Sequence, residues 1–367
     1  MKNSTWLILA VALLITCMGI LSIYSSTSQK EGELWQIIYK RQVFWVILGI
    51  IFFLAMSQFN YRRLWDMTYL FYGIVLFLLL LVVVLGITRL GAQRWIRLAW
   101  FNLQPSELAK IAMVIFLARY FSVKSASSVH HTAAKYGIFR AFILPSLFIV
   151  LPVGLIVEQP DLGTGLIIIF IFIAFMYIGG VRSKYLIAIS LIGVLLLPVS
   201  WHFLRDYQKD RLMVFLNPYI DPLGVGYTVI QSKIAIGSGG LFGKGWLGGT
   251  QSQLHFLPES HTDFIFSTFT EEWGFLGALF LFFLYFILIR QGIKIALSTG
   301  DYFGRLLAFG ISLMLGIQIF VNIAMNLGLA PVVGVPLPLM SYGGSSIMVT
   351  FISLGILANI GKNRTAF

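Results

Sequence analysis

WLILAVALLITCMGILSIYSS, residues 6–26, runs for twenty-one positions without a charged side chain. At 1.5 Å of rise per helical residue such a run reaches about 30 Å, the thickness of a bilayer's hydrocarbon core. Inside lipid each unpaired backbone group costs several kcal/mol, so a segment of this kind is a helix. Met1, Lys2 and Asn3 ahead of it could pass for the start of a signal peptide. The run is too long for a secretory h-region and no cleavage pattern follows, so the expectation is an uncleaved first span.

Working outward, runs of similar character fall at about 42–57, 67–87, 105–122, 140–157, 162–180, 184–203, 265–290, 304–327 and 341–361. The expected fold class is all-α: a polytopic integral membrane protein with about ten transmembrane helices, forming a single membrane domain over residues 1–367. A long structured extracytoplasmic loop, residues 204–264, is expected between the seventh and eighth spans. Strands of alternating polarity are absent, which argues against a membrane barrel. The composition agrees, because 58% of residues are hydrophobic and 11% charged, against about 25% charged in a soluble domain.

Lys and Arg set the orientation. With the N-terminus in the cytoplasm, the inner side carries fourteen of them and the outer side six, once the 204–264 loop is left out. The positive-inside rule then puts both termini in the cytoplasm and the 88–104 and 204–264 connections outside. The net charge of +12 fits this rule and anionic membrane lipid. It forms no basic tail, and no nucleic-acid motif is present. A single cysteine, Cys17, excludes a disulfide framework and a thiolate metal site. His130 and His131 have no further ligand at metal spacing and read as solvated loop. No internal repeat supports a transporter built from inverted halves.

The costliest residues come first in a search for chemistry. Glu107 and Lys110, in QPSELAK (104–110), sit three apart on one helical face near the outer end of a span. They read either as an ion pair that stabilises a helix start or as part of a site, since ionisable groups inside spans mark pathways and sites. Asp161, in QPDLGTG (159–165), reads as a helix N-cap, or as a further outer-face carboxylate. FLPESHTDFIF (256–266) brings Glu259, His261 and Asp263 to the point where a span enters the outer leaflet. A carboxylate at such a boundary is partly desolvated, which raises its pKa and suits a general base. A helix cap is the plainer alternative. GSGGLFGKGWLGG (237–249) holds seven glycines and Lys244. It is either a flexible connection or a backbone cradle for phosphate, to which Lys233, Arg211, Arg94 and Arg97 would add charge. Residues 322–346 are uncharged and broken by Pro and Gly, so at membrane depth they must be buried or line a cavity.

These stretches together carry a resemblance. GAQRWI (91–96), QPSELAKIA (104–112), QPDLGTG, residues 221–266 and GLAPVVGVPLPLMSYGGSS (328–346) resemble the SEDS family of shape, elongation, division and sporulation proteins over nearly the whole chain. GTQSQLHFLPESHTDFIF (249–266) and the short N-terminus favour its RodA branch over its FtsW branch. The resemblance implies a peptidoglycan glycosyltransferase of the bacterial cytoplasmic membrane, active in cell elongation. Its substrate would be lipid II, an undecaprenyl-pyrophosphoryl disaccharide-pentapeptide, at the outer leaflet. Its partners would be a class B penicillin-binding protein transpeptidase and other elongation-complex membrane proteins. The family's essential aspartate maps to Asp263. Residues tied to family function match at Arg94, Trp95, Glu107, Lys110, Asp161 and Lys233.

The chemistry is compatible. The acceptor hydroxyl must lose a proton as it attacks the anomeric carbon, and one carboxylate can take it. An α-linked donor and β-linked product need a single inverting displacement. The pyrophosphate leaving group needs positive charge rather than a proton, supplied by Lys and Arg with or without a divalent cation such as Mg or Mn. A lipid-linked precursor flippase is the alternative from another class. It would need polar groups reachable from both sides of the membrane, whereas the candidates gather on the outer side.

Overall fold

The computed structural model describes residues 2–28, 33–89, 92–98, 101–126, 143–181, 183–188, 206–254 and 256–363, with isolated positions between 191 and 204. Among the described residues, helices occupy nine of the ten expected apolar runs in whole or in large part. The helices are α1 (Lys2–Ser28), α2 (Glu33–Gln58), the short α3 (Arg63–Asp66), α4 (Thr68–Leu85), α5 (Pro105–Ala126), α6 (Leu144–Glu158) and α7 (Leu162–Ile178). After them come α8 (Asp206–Leu216), α9 (Val225–Ser238), the short α10 (Thr250–Gln253), α11 (Ile265–Ser298), α12 (Tyr302–Asn326) and α13 (Gly344–Asn363).

Six of these helices are long and apolar enough to cross a membrane: the ones containing residues 4–28, 37–58, 68–85, 265–298, 302–326 and 344–363. The apolar α6 and α7 are shorter, at 15 and 17 residues. The helix α5 has 22 residues but carries Glu107, Lys110, Arg119 and Lys124. Most of the expected seventh span, 184–203, lies outside the described residues, and so do His130 and His131.

The all-α expectation needs one correction. The 88–104 connection contains a three-stranded antiparallel sheet of β1 (Ile87–Arg89), β2 (Ala92–Leu98) and β3 (Phe101–Leu103). Ile87 pairs with Trp95, and Ile96 with Leu103. AQRWIRL mixes apolar and polar residues without a clean period of two, and its seven residues are a faint signal beside spans about three times as long.

The helices pack α2 on α13, α11 on α12, and α5 among α4, α7 and α12, while α1 leans on α2 and α11. Lipid tails are as apolar as leucine, so this association rests on close packing rather than on water expulsion. Small residues allow it. At Gly355 a Cβ would stand 2.7 Å from the Phe53 carbonyl, and at Gly49 one would meet the Phe351 ring.

The helix α11 is broken inside. Gly274 adopts φ 65°, ψ −164°, a conformation open to glycine. The backbone groups freed there are not left unpaired. Phe275 N–H donates to Gly240 O (2.9 Å), Leu276 N–H to Leu241 O (3.1 Å), Lys244 N–H to Glu271 O (3.0 Å) and Gly245 N–H to Glu272 O (3.0 Å). The glycine-rich 237–249 stretch is thus tied to α11 rather than a loose connection. Several of its backbone groups complete the ladder of a broken helix.

Candidate functional site

Asp263 stands just ahead of α11, and its surroundings come from distant parts of the chain. Arg94 arrives on β2, where strand alternation sends its side chain to one face and Trp95 to the other. The guanidinium of Arg94 donates to the carbonyls of Gln159 (3.4 Å) and Pro160, and lies 3.9 Å from the Asp161 carboxylate. Arg211 arrives on α8 and donates to the Val332 carbonyl at 3.1 Å. Gly334, at φ 69°, closes the arrangement. A methyl group there would stand 3.5 Å from both Arg94 Nη1 and Asp263 Oδ2. The bare glycine therefore leaves the guanidinium and the carboxylate facing each other across open space.

No hydrogen bond from a described side chain or backbone group ends on the Asp263 carboxylate oxygens. Burial, and then the charge of Glu259, push this carboxyl up to about 6, with a smaller push from Asp161; Arg211 and Arg94 pull the other way. Burial, and then Arg94, lower the Arg211 guanidinium, while Asp263 and Tyr207 support its charge. The result is a carboxylate and two guanidiniums that sense one another without a closed ion pair.

Asp161 does cap α7, as one reading of the sequence had it, and does more. Its oxygens accept from Thr164 N (3.3 Å), Thr164 Oγ1 (3.0 Å), Ser106 Oγ (2.8 Å) and Gln104 Nε2 (3.3 Å). It therefore joins the starts of α5 and α7 beside Arg94. Glu107 and Lys110 pair at 2.7 Å and are 2% and 1% exposed, so their charges face each other inside the protein.

The other candidates spread around the centre. Glu259 is exposed and accepts from Thr262 Oγ1 at 3.1 Å. His261 is buried, edge-on to Trp35 and beside Tyr342. Trp95 is half-buried on the sheet. Lys233 is exposed on α9, with its side chain lying over Gly328. Between Gly328 and Arg211 lies a narrow cleft of about 10 Å³, room for about one water molecule, whose remaining walls include Val214, Phe215, Val229 and Val332.

Sequence reasoning passed over two buried carboxylates. Glu271, 0% exposed, accepts from Lys244 Nζ (2.8 Å), Thr250 N (2.8 Å), Thr250 Oγ1 (3.0 Å) and Gln251 N (3.0 Å). Glu272 accepts from Ser25 of α1. Adjacent carboxylates within a span-length apolar run were the signal that could have found them. Asn322 and Asn326 on α12, which bond to the Asp263 main chain, give no sequence signal, because uncharged polar residues in a span are common.

The FtsW/RodA/SpoVE family of cell cycle proteins matches residues 5–366. The peptidoglycan glycosyltransferase MrdB of Escherichia coli K12 is 40% identical over 365 residues, covering 99% of this chain and 94% of that protein. Among solved structures, one chain from a peptidoglycan synthase complex, described for its structural coordination of polymerization and crosslinking, is 33% identical. It superposes with a TM-score of 0.82 over 99% of this chain and 98% of its own. The rod shape determining protein RodA of Thermus thermophilus is 29% identical, with a TM-score of 0.72 over 98% of this chain and 97% of its own.

Proposed function

The chain belongs to the FtsW/RodA/SpoVE family and is a peptidoglycan glycosyltransferase, and from that premise we propose how it works: it polymerises lipid II into glycan strands for cell elongation, with Asp263 as general base. The observation that carries the mechanism is the Asp263 carboxylate facing Arg94 across Gly334, sensing the charge of Arg211 as well, with no hydrogen bond from a described residue. With its pKa near 6, the group is ionised at neutral pH, and its basicity is matched to that pH. A base in that condition contributes about 10²–10⁴-fold to a proton transfer.

The acceptor hydroxyl gives its proton to Asp263 as its oxygen attacks the donor's anomeric carbon from the face opposite the pyrophosphate. The bond to pyrophosphate breaks and configuration inverts, so no second carboxylate is needed to make a covalent intermediate. Arg94 and Arg211 stabilise the charge that develops on the leaving group. Lys233 supplies further charge at the other end of the 328–332 segment. Apolar Val214, Phe215, Val229 and Val332 lie beside Arg211, so a cation and an apolar surface adjoin there, as the pyrophosphate and isoprenoid ends of the donor require. Glu259 and His261 shape the turn that holds Asp263, and Trp95 offers a face for a sugar. The buried Glu107–Lys110 pair acts from beneath, fixing the start of α5 from which Gln104 and Ser106 hold Asp161.

Among the described residues no three His, Cys, Asp or Glu side chains gather; a divalent cation such as Mg or Mn would be held by one or two carboxylates together with the substrate's pyrophosphate, where it would add positive charge at the leaving group.

In the ten-span layout both termini lie in the cytoplasm and this cluster lies at the outer face, where lipid II and a class B penicillin-binding protein meet it. The test is purified protein with its partner and lipid II. Polymer from wild type and none from Asp263→Ala is expected. Equal polymer from both would end the general-base assignment, and flipping of lipid II without polymer would favour a transporter.

A further inference from the structure

Three consecutive carbonyls in the turn that carries Asp263 are each held from α12 or from the 341–342 turn. His261 O accepts from Tyr342 N at 2.9 Å. Thr262 O accepts from Ser341 Oγ at 2.7 Å. Asp263 O accepts from both Asn322 Nδ2 and Asn326 Nδ2, each at 3.0 Å.

The last of these is unusual in how many buried groups it engages. Asn322 and Asn326 are both 0% exposed, and they lie four apart on one face of α12. A buried amide is destabilising unless its donors are used. Asn322 directs its second donor to Val335 O at 2.8 Å, the residue next to Gly334. One amide thus ties the Asp263 peptide to the segment that faces the Asp263 carboxylate. Asn326 directs its second donor to Asn322 O at 2.8 Å, and its Oδ1 accepts from Ser267 Oγ at 2.6 Å. Ser267 in turn meets Ser232 of α9 at 2.6 Å, and Ser232 bonds Asn326 O at 2.7 Å. Only an NH₂ group can face two carbonyls, so these orientations are fixed by the network.

We infer that Asn322 and Asn326 are positioning residues for the glycosyl transfer: a two-amide clamp on the Asp263 carbonyl that fixes the backbone from which its carboxylate extends. The inference rests on Asp263 being the base. No described residue donates to the Asp263 carboxylate, so the backbone position from which the side chain extends is what the protein fixes, and the clamp fixes it. Asn322 fixes that position relative to Gly334, across which Arg94 stands. A clamp of this kind acts on the chemical step and leaves substrate binding alone.

The test uses full-length Asn322→Ala and Asn326→Ala, assayed with the partner on lipid II, normalised to folded protein. Asn359→Ala is the control for losing a buried amide elsewhere. Asn359 is 2% exposed, donates to Ser57 O at 2.9 Å and accepts from Tyr61 N at 3.1 Å. The expectation is that kcat falls between about 10- and 100-fold, the cost of a misplaced catalytic group, while KM changes less than about twofold. The acid limb of the pH profile should move by about half a unit or more as the surroundings of the carboxylate change. In an Asp263→Asn background neither substitution should cost more, because both act through the missing group.

Should the alanine variants fail to fold, Ser267→Ala removes only the hydroxyl that holds the Asn326 carbonyl, and a smaller change in the same direction is expected. Variants that lose no more activity than Asn359→Ala, with an unmoved acid limb, would overturn the clamp. If Asp263→Asn itself stays active, the base assignment fails instead, and the two failures are told apart by that single variant.

Discussion

Asp263, just before α11, and Glu271, two turns into it, are carboxylates eight positions apart. Each lies beside basic residues and glycines, and they are in opposite conditions. Glu271 receives four donor groups, including Lys244 at 2.8 Å and two backbone N–H groups at the start of α10. Asp263 receives none from the described residues, faces Arg94 across Gly334 and senses the charge of Arg211. A carboxylate held by several donors, as Glu271 is mainly through Oε1, holds structure together. One surrounded by charge but left without donors is available to a substrate proton. Saturation by hydrogen bonds separates the two most clearly; nearby charge and neighbouring glycine do not, and burial does so only in part, since Glu271 is fully buried and Asp263 half-buried.

The sharpest way to break that comparison is to remove each charge in turn. Asp263→Asn should lower polymer formation by about 10²–10⁴-fold, the value of a general base, while the protein stays folded. Glu271→Ala should act the other way. It leaves α10 without its N-terminal acceptor and two backbone N–H groups without a partner, while the exposed Lys244 is free to turn to water; hydrogen bonds to a charged group contribute about 1.5–3 kcal/mol each. The expected result is a large drop in thermal stability in detergent, with turnover per folded molecule within about threefold of wild type. If Glu271→Ala abolished turnover in well-folded protein, saturation would not be the criterion that separates structure from chemistry here.

A second contrast uses pH. The Asp263 carboxyl sits near 6 in the folded protein against an ordinary 3.8. Activity that depends on its ionised form should therefore fall as pH drops through about 6. The linkage runs against stability. A carboxyl with a raised folded pKa disfavours the fold above that pKa, and the penalty fades as pH falls toward the unfolded value. A shift of about two units corresponds to at most about 3 kcal/mol. Asp263→Asn should thus melt higher than wild type at about pH 7.5, by a margin that shrinks toward about pH 4.5. A margin constant with pH would mean that its origin is not this titration.

Much of this architecture was legible in the sequence, for a physical reason. A span is a composition, and the runs at 6–26 and 304–327 announce themselves without any knowledge of neighbours. The N-cap at Asp161 and the pairing of Glu107 with Lys110 are local in the chain, so helix geometry alone could suggest them. The meeting of Arg94, Arg211, Gly334 and Asp263 is different. Those residues are brought together by β2, α8 and the 328–335 segment, and separation along the chain hides such contacts until the fold exists. The family resemblance singled out Asp263, but only the structure explains its condition. Asn322 and Asn326 stayed hidden because an asparagine in a span means little until its donors are seen converging on one carbonyl. The little β sheet was missed for a related reason, since its short strands carry no clean period of two and declare themselves only when paired.

The smallest effect expected is at Asp161, which lies between the two extremes. Like Glu271 it is saturated, by Thr164, Ser106 and Gln104. Like Asp263 it faces Arg94, at 3.9 Å. Asp161→Asn keeps an oxygen for the Thr164 N–H, and the Ser106 and Thr164 hydroxyls can turn to accept from the new amide. The helix cap should survive, since Asn and Asp are nearly equivalent at that position, and stability should change by no more than about 1 kcal/mol. What is lost is the negative charge beside Arg94, whose guanidinium is still held by the Gln159 and Pro160 carbonyls. Polymerisation should therefore fall by less than about tenfold, as expected for a charge that only helps aim another. Asp161→Ala removes the cap as well and should cost about 1 kcal/mol more in stability. A loss as deep as that of Asp263→Asn, in a variant that melts like wild type, would move Asp161 from the scaffold into the reacting centre.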